Sequence, residues 1–298
     1  MYSDASISAV AGANGLDYAK NKNRGGRSSA KGRDFEIVYG AYRIVLEAAN
    51  ALRDGALGTD ISFHDQVLCF VDDFVASGPG GRTLAQLKSG AASWTGGDHP
   101  LGDDFRLQAK LDATCGVAAN YELVVGDDAR RDALLIDRPT DLSAVSVVSF
   151  PGELEDLDLI SRLDDLAAAL AELSPRDAER VVREQVWRML LGTWQGSRGD
   201  QTLASIIHAA GHGPGAIVAP LSPPYILSDE AKKTLDKVDG LRFNIHKNFF
   251  TYDALGWMVR GIADYHCYTP QFEAFVTELT TSQPTDFLSF WAVLKAHI

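Results

Sequence analysis

Residues 67–97 read VLCFVDDFVASGPGGRTLAQLKSGAASWTGG, and little else in the chain limits its architecture as strongly. The first ten residues are mostly apolar and rich in β-formers, interrupted only by Asp72 and Asp73. SGPGGR is a dense turn signal. TLAQLKS then alternates, with Leu84, Gln86 and Lys88 on one face of a strand and Ala85 and Leu87 on the other. The expectation is a β-hairpin with an acidic pair on its first strand, over 67–76, and Gln-x-Lys on its second.

Polar side chains on a short apolar strand need a reason, and a metal-dependent phosphodiesterase site is one. Phosphodiester hydrolysis is served by a hard cation, usually Mg²⁺, that polarises a phosphoryl oxygen and activates water. Mg²⁺ takes oxygen ligands and few protein carboxylates, because it keeps several waters. An aspartate on one strand and a side-chain carbonyl on its neighbour can share one ion. A lysine two residues along the same face can orient water or offset charge at phosphorus. Asp73, Gln86 and Lys88 suit these roles, with Asp72 an alternative to Asp73 that strand phase does not separate. The ordinary alternative is a solvated strand end beside a polar edge strand.

The flanking sequence reads as α/β. Phe35, Val38, Tyr42, Val45 and Ala49 recur at helical steps over 33–53. A second helix is expected from Leu101 to Ala119, then a buried strand in YELVV, a short helix opened by Asp127 and Asp128, and a strand in SAVSVVSF. Strands flanked by helices pack as a sheet between layers. Such packing would leave the hairpin face open at one edge for DNA.

These motifs together resemble the PD-(D/E)xK, or restriction-endonuclease-like, nuclease superfamily in its QxK variant. The resemblance rests on a Gly- and Lys-rich lead-in, the helix starting DFEIVYGAYRIVLEAANAL, the VDD strand, AQLKSG, a Trp soon after, and YELVV. It covers roughly residues 25–150 and is most similar to the double-stranded-DNA endonuclease domain of CBASS effectors and of SMC-linked Lamassu-type anti-phage systems. The resemblance implies a mixed central sheet flanked by helices and a Mg²⁺ or Mn²⁺ ion held by Asp73 and Gln86. It also implies catalysis by Lys88 and an auxiliary acidic ligand from the first helix. Glu36 is the best match for that ligand, with Asp34 and Glu47 behind it. Members with an acidic doublet use the second aspartate, which favours Asp73 over Asp72.

Charge bears on the DNA expectation. The chain carries a net −12, which does not favour DNA by itself. Residues 1–33 hold six basic residues (Lys20, Lys22, Arg24, Arg27, Lys31, Arg33) against Asp4 and Asp17, a net of +4, leaving −16 on the remainder. Residues 1–30 read as a basic flexible arm that clamps DNA or merely solubilises. The other account is a complex whose remaining subunits grip DNA. No run of apolar residues is long enough for a membrane span, and no secretory signal is expected. Three scattered cysteines form no metal or disulfide framework, which points to a reducing cytoplasm.

Three regions follow: the arm over 1–30, a nuclease-like domain over 31–150, and a mainly α-helical docking or oligomerisation domain over 151–298. In the last, Ser174 and Pro175 read as the opening of a helix, and LRFNIHKNFFTYDALGWMVRGIADY reads as a strand passing into a helix. His208 and His212 stand four apart, yet two ligands alone do not make a zinc site. The functional expectation is the DNA-cutting effector subunit of a bacterial anti-phage or anti-plasmid complex. Its partners are double-stranded DNA and an SMC-like ATPase or sensor subunit, with homo-oligomerisation possible. A catalytically degenerate scaffold, or an RNase using the same site, are the alternatives.

Overall fold

In the computed structural model the described residues are 2–25, 30–55, 60–97, 99–175, 179–196, 201–212, 217–255 and 258–297. The chain divides into two compact units. The first takes in residues 1–44, 59–162 and 194–203, and the second 45–58, 163–193 and 204–298.

In chain order the elements are α1 (Asp4–Gly25), α2 (Ala30–Arg53), β1 (Ser62–Asp65), β2 (Phe74–Gly78), β3 (Gly81–Lys88), α3 (Leu101–Cys115), β4 (Ala119–Val125), α4 (Asp128–Ile136) and β5 (Val145–Ser149). Next come α5 (Asp156–Arg162), α6 (Asp164–Leu173), α7 (Arg180–Gly196), β6 (Gln201–Thr202), α8 (Leu203–Gly211) and α9 (Asp229–Leu235). The chain closes with β7 (Leu241–His246), β8 (Phe249–Ala254), β9 (Val259–His266), α10 (Pro270–Ser282) and α11 (Phe287–Lys295).

The first unit is built on a six-stranded mixed sheet in the order β5-β4-β3-β2-β1-β6. β1, β2 and β3 form an antiparallel meander, β6 adds antiparallel to β1, and β3, β4 and β5 run parallel. Pro79 and Gly80 connect β2 to β3. Gly81 follows at φ 117, where any Cβ would stand 2.6 Å from the carbonyl oxygen of Ala118, so only glycine fits.

Both sheet faces are covered. Aromatic packing fills one side: Phe74 lies 5.8 Å from Tyr39, 6.0 Å from Phe63 and 6.2 Å from Trp194 between ring centroids. On the other, Val75, Leu84, Leu123 and Val125 pack with Ile7 and Val10 of α1 and Phe105 and Leu111 of α3. Trp94 is buried there, donating its indole N–H to the carbonyl of Leu134 at 2.8 Å. The hairpin face expected to lie open for DNA is therefore closed over by α1 and α3, and Gln86 is 0% exposed.

Two readings of local structure change. Residues 4–25, which read as a flexible arm, are helical, folded back at Gly12 so that Lys20 pairs with Asp4 at 2.5 Å. Of the expected arm, residues 1 and 26–29 lie outside the described residues, and Ala30 already belongs to α2. The first strand of the hairpin begins only at Phe74, and 67–73 is a buried loop. A buried loop must satisfy its own backbone. Here the Gln108 side-chain oxygen accepts from Phe70 N at 3.0 Å and Val71 N at 3.3 Å, and Val67 N donates to Asp72 O at 3.1 Å.

The second unit contains an antiparallel sheet, β7-β8-β9. Phe250 packs against Phe272, Phe275 and Phe290 from α10 and α11. Where the sequence reads as a helix after FNIHKNFF, the described residues form the strands β8 and β9. Lys247 and Asn248, at φ 51 and 65, form the two-residue connection of a hairpin, because both central positions of such a turn need positive φ. Ser174 caps the end of α6 rather than opening α7, and 176–178 lie outside the described residues.

Candidate active site

The site lies where β2 begins and β3 ends. Phe74 pairs with Ala85, so Asp73 stands opposite Gln86 one step further on. Asp73 Oδ2 accepts from Leu87 N at 2.7 Å and from the Gln86 side-chain N–H. Strand alternation puts Lys88 on the side of Gln86, whose side chain contacts Asp73. Asp72, Asp73 and Gln86 are all buried, Asp72 being 1% exposed.

Glu36, on α2, accepts from Gln66 Nε2 at 3.0 Å. Burial, then the negative charge of Asp73, pushes its carboxyl up to about 8. The charges of Asp72 and Lys88 also reach it. Burial likewise raises the Asp72 carboxyl, to about 7, against the pull of the Lys22 ammonium. Of the sequence-derived residues, Asp73 touches Gln86, and the charges of Asp72, Asp73 and Lys88 act on Glu36.

Four further residues that the sequence pattern does not mark, Lys22, Asp104, Tyr18 and Asn23, join the cluster. Lys22 Nζ donates to Phe70 O at 2.5 Å, Gln86 Oε1 at 2.7 Å and Asp104 Oδ2 at 2.8 Å, and stands 3.3 Å from Asp72 Oδ1. Burial disfavours its charge, but the carboxylates of Asp72, Asp104 and Asp73 outweigh burial and hold the ammonium protonated. Asp104 also accepts from Tyr18 OH at 2.9 Å, and Asn23 Nδ2 donates to Gln66 O. The missed signal for Asp104 is a polar stripe: Asp104, Gln108 and Asp112 recur every four residues among the apolar positions of α3, and all three are buried.

The donors fit a hard cation. The cluster offers carboxylates, a side-chain carbonyl and a backbone carbonyl, all oxygen. Asp72 Oδ1 is buried without a well-aligned hydrogen bond, and the Lys22 ammonium 3.3 Å away is the cation that offsets its charge. Among the described residues no three His, Cys, Asp or Glu side chains are grouped to hold a metal, so the carbonyl oxygens are essential to any such site. The His208 and His212 rings lie 3.7 Å apart, and His266, 6.3 Å from His212, is held well below the usual range, at about 4, first by burial and then by His212.

No protein-family model, curated protein or solved structure matches the chain. Among the described residues, no helix is long and apolar enough to cross a membrane.

Proposed function

We propose that this chain is a Mg²⁺- or Mn²⁺-dependent DNA endonuclease with a restriction-endonuclease-like core, working as the effector subunit of a bacterial anti-phage complex. The supporting observation is the convergence of Asp72, Asp73 and Gln86 at the end of a hairpin, with Glu36 and Lys88 in electrostatic reach and one buried aspartate oxygen held by an ion pair to Lys22. The order of helix, hairpin with Gln-x-Lys, helix and parallel strand that carries the resemblance is also present.

Asp73 and Gln86 would hold the ion, with Glu36 auxiliary and Asp72 as the alternate aspartate. When bound, the ion supplies Lewis-acid polarisation of a phosphoryl oxygen and makes water a better nucleophile near neutral pH. Asp73 is fixed for its task by the Leu87 amide, which keeps one carboxylate oxygen oriented. Lys88, last in its strand, orients the attacking water and offsets charge as it builds at phosphorus. The second unit, with its own aromatic core, serves as the docking module for an ATPase or sensor subunit.

A second reading is a catalytically degenerate scaffold. It is favoured by one observation, the complete burial of Gln86 beneath α1. Nicking of supercoiled plasmid with Mg²⁺ or Mn²⁺, with and without chelator, separates the two. Lys88→Ala should abolish cleavage and leave the melting temperature within about 2 °C, since a half-exposed lysine contributes little to a core. Cleavage retained by that variant removes Lys88 from the mechanism, and no metal-dependent cleavage by the wild type in any assembly leaves the scaffold.

A further inference from the structure

Lys22 is placed as a cation among more oxygen than it can serve. An ammonium has three N–H donors. They are taken by Phe70 O, Gln86 Oε1 and Asp104 Oδ2. The fourth oxygen, Asp72 Oδ1, is sealed from solvent and lies 3.3 Å from the same nitrogen, ion-paired to it but with no aligned N–H left for it. A divalent ion has no such limit, because it gathers six or more oxygens and does not need directional donors. The same oxygens therefore supply the donor set of a hard cation as well as holding the ammonium that fills the cage.

We propose that the oxygens of Phe70, Asp72, Gln86 and Asp104 form the divalent-cation position of the site, with Asp72, the alternate aspartate of the reading above, as ligand in place of Asp73, and that Lys22 is its built-in competitor. The identity of the site as a nuclease centre rests on the reading above, but the competition does not. Lys22 arrives on α1, whose Tyr18 also holds Asp104 and whose Asn23 is tied to the Gln66 carbonyl. Metal entry and docking of this end of α1 thus exclude one another. A segment that closes the site while resting on it would keep a DNA-cutting effector silent until α1 is drawn away.

Binding of Mn²⁺ to the full chain, followed by the electron paramagnetic resonance of the free ion, tests this. Lys22→Met should bind at least about tenfold more tightly than the wild type, because the displaced charge no longer competes. Adding Asp104→Asn to that variant should remove the gain. If Lys22→Met does not hold its fold alone, Mn²⁺ should restore its melting transition while leaving the wild type almost unchanged. A folded Lys22→Met that binds no better than the wild type, or an unfolded one that Mn²⁺ does not rescue, overturns the proposal. Tight binding by Lys22→Met without DNA cleavage upholds the cation position and sinks the nuclease reading. Metal-dependent cleavage with an affinity indifferent to Lys22 does the reverse.

Discussion

Gln108 shows how one side chain holds the site in shape. Its oxygen accepts from two consecutive backbone amides of the 67–73 loop, and its Nε2 donates to Tyr2 OH and Asp112 Oδ2, both at 3.1 Å. Gln108→Leu keeps the volume and orphans both amides. It should cost about 2–4 kcal/mol, the penalty for one or two buried donors left unpaired, read from urea unfolding. A loss under about 0.5 kcal/mol would show that the loop finds other partners. The sequence reveals Asp73, Gln86 and Lys88 because their spacing encodes a shared strand face. It hides Asp104 and Gln108 because their polar stripe sits among apolar residues, where a helical pattern alone reads as core. Lys22 is hidden for a different reason: its partners are 48 to 82 residues away, and no local pattern announces a long-range ion pair.

Among the elements, α1 departs furthest from its sequence. Gly, Ser and Asn interrupt it, so propensity and periodicity are weak, and burial beside α3 supports the helix. The fold-back at Gly12, φ 71 and ψ −177, occupies a region of backbone space open essentially to glycine. No atom crowds that position, so Gly12→Ala strains the backbone alone. The expected cost is about 1–3 kcal/mol, seen as faster amide hydrogen exchange across α1 with the central strands still protected. Unchanged exchange would mean the turn tolerates a side chain. The strands β3, β4 and β5 are legible from apolar and β-branched runs, and α2 from its period. The 67–73 segment was misread because an apolar, β-rich run serves equally as a buried loop once side chains such as Gln108 satisfy its backbone. The β7–β8 turn was missed because Lys-Asn is a weaker hairpin signal than Asn-Gly.

Across the molecule, charge and burial decide how it would meet DNA. With a net of −12, Lys20 paired to Asp4 and Lys22 buried among carboxylates, the amino-terminal segment has less free positive charge than its composition promises. On the proposed nuclease reading, grip on DNA would fall to partner subunits or to release of α1, and an isolated chain would cut weakly at physiological salt. The whole account comes down to whether a divalent ion enters the cluster between Asp72, Asp73 and Gln86. Anomalous diffraction from Mn²⁺-soaked crystals of the wild type and of Lys22→Met answers this. The expected result, strongest in Lys22→Met, is a peak about 2.1 Å from Gln86 Oε1 and from a carboxylate of the aspartate pair, the spacing of a small hard cation from oxygen. No peak in that cluster in either crystal would contradict it.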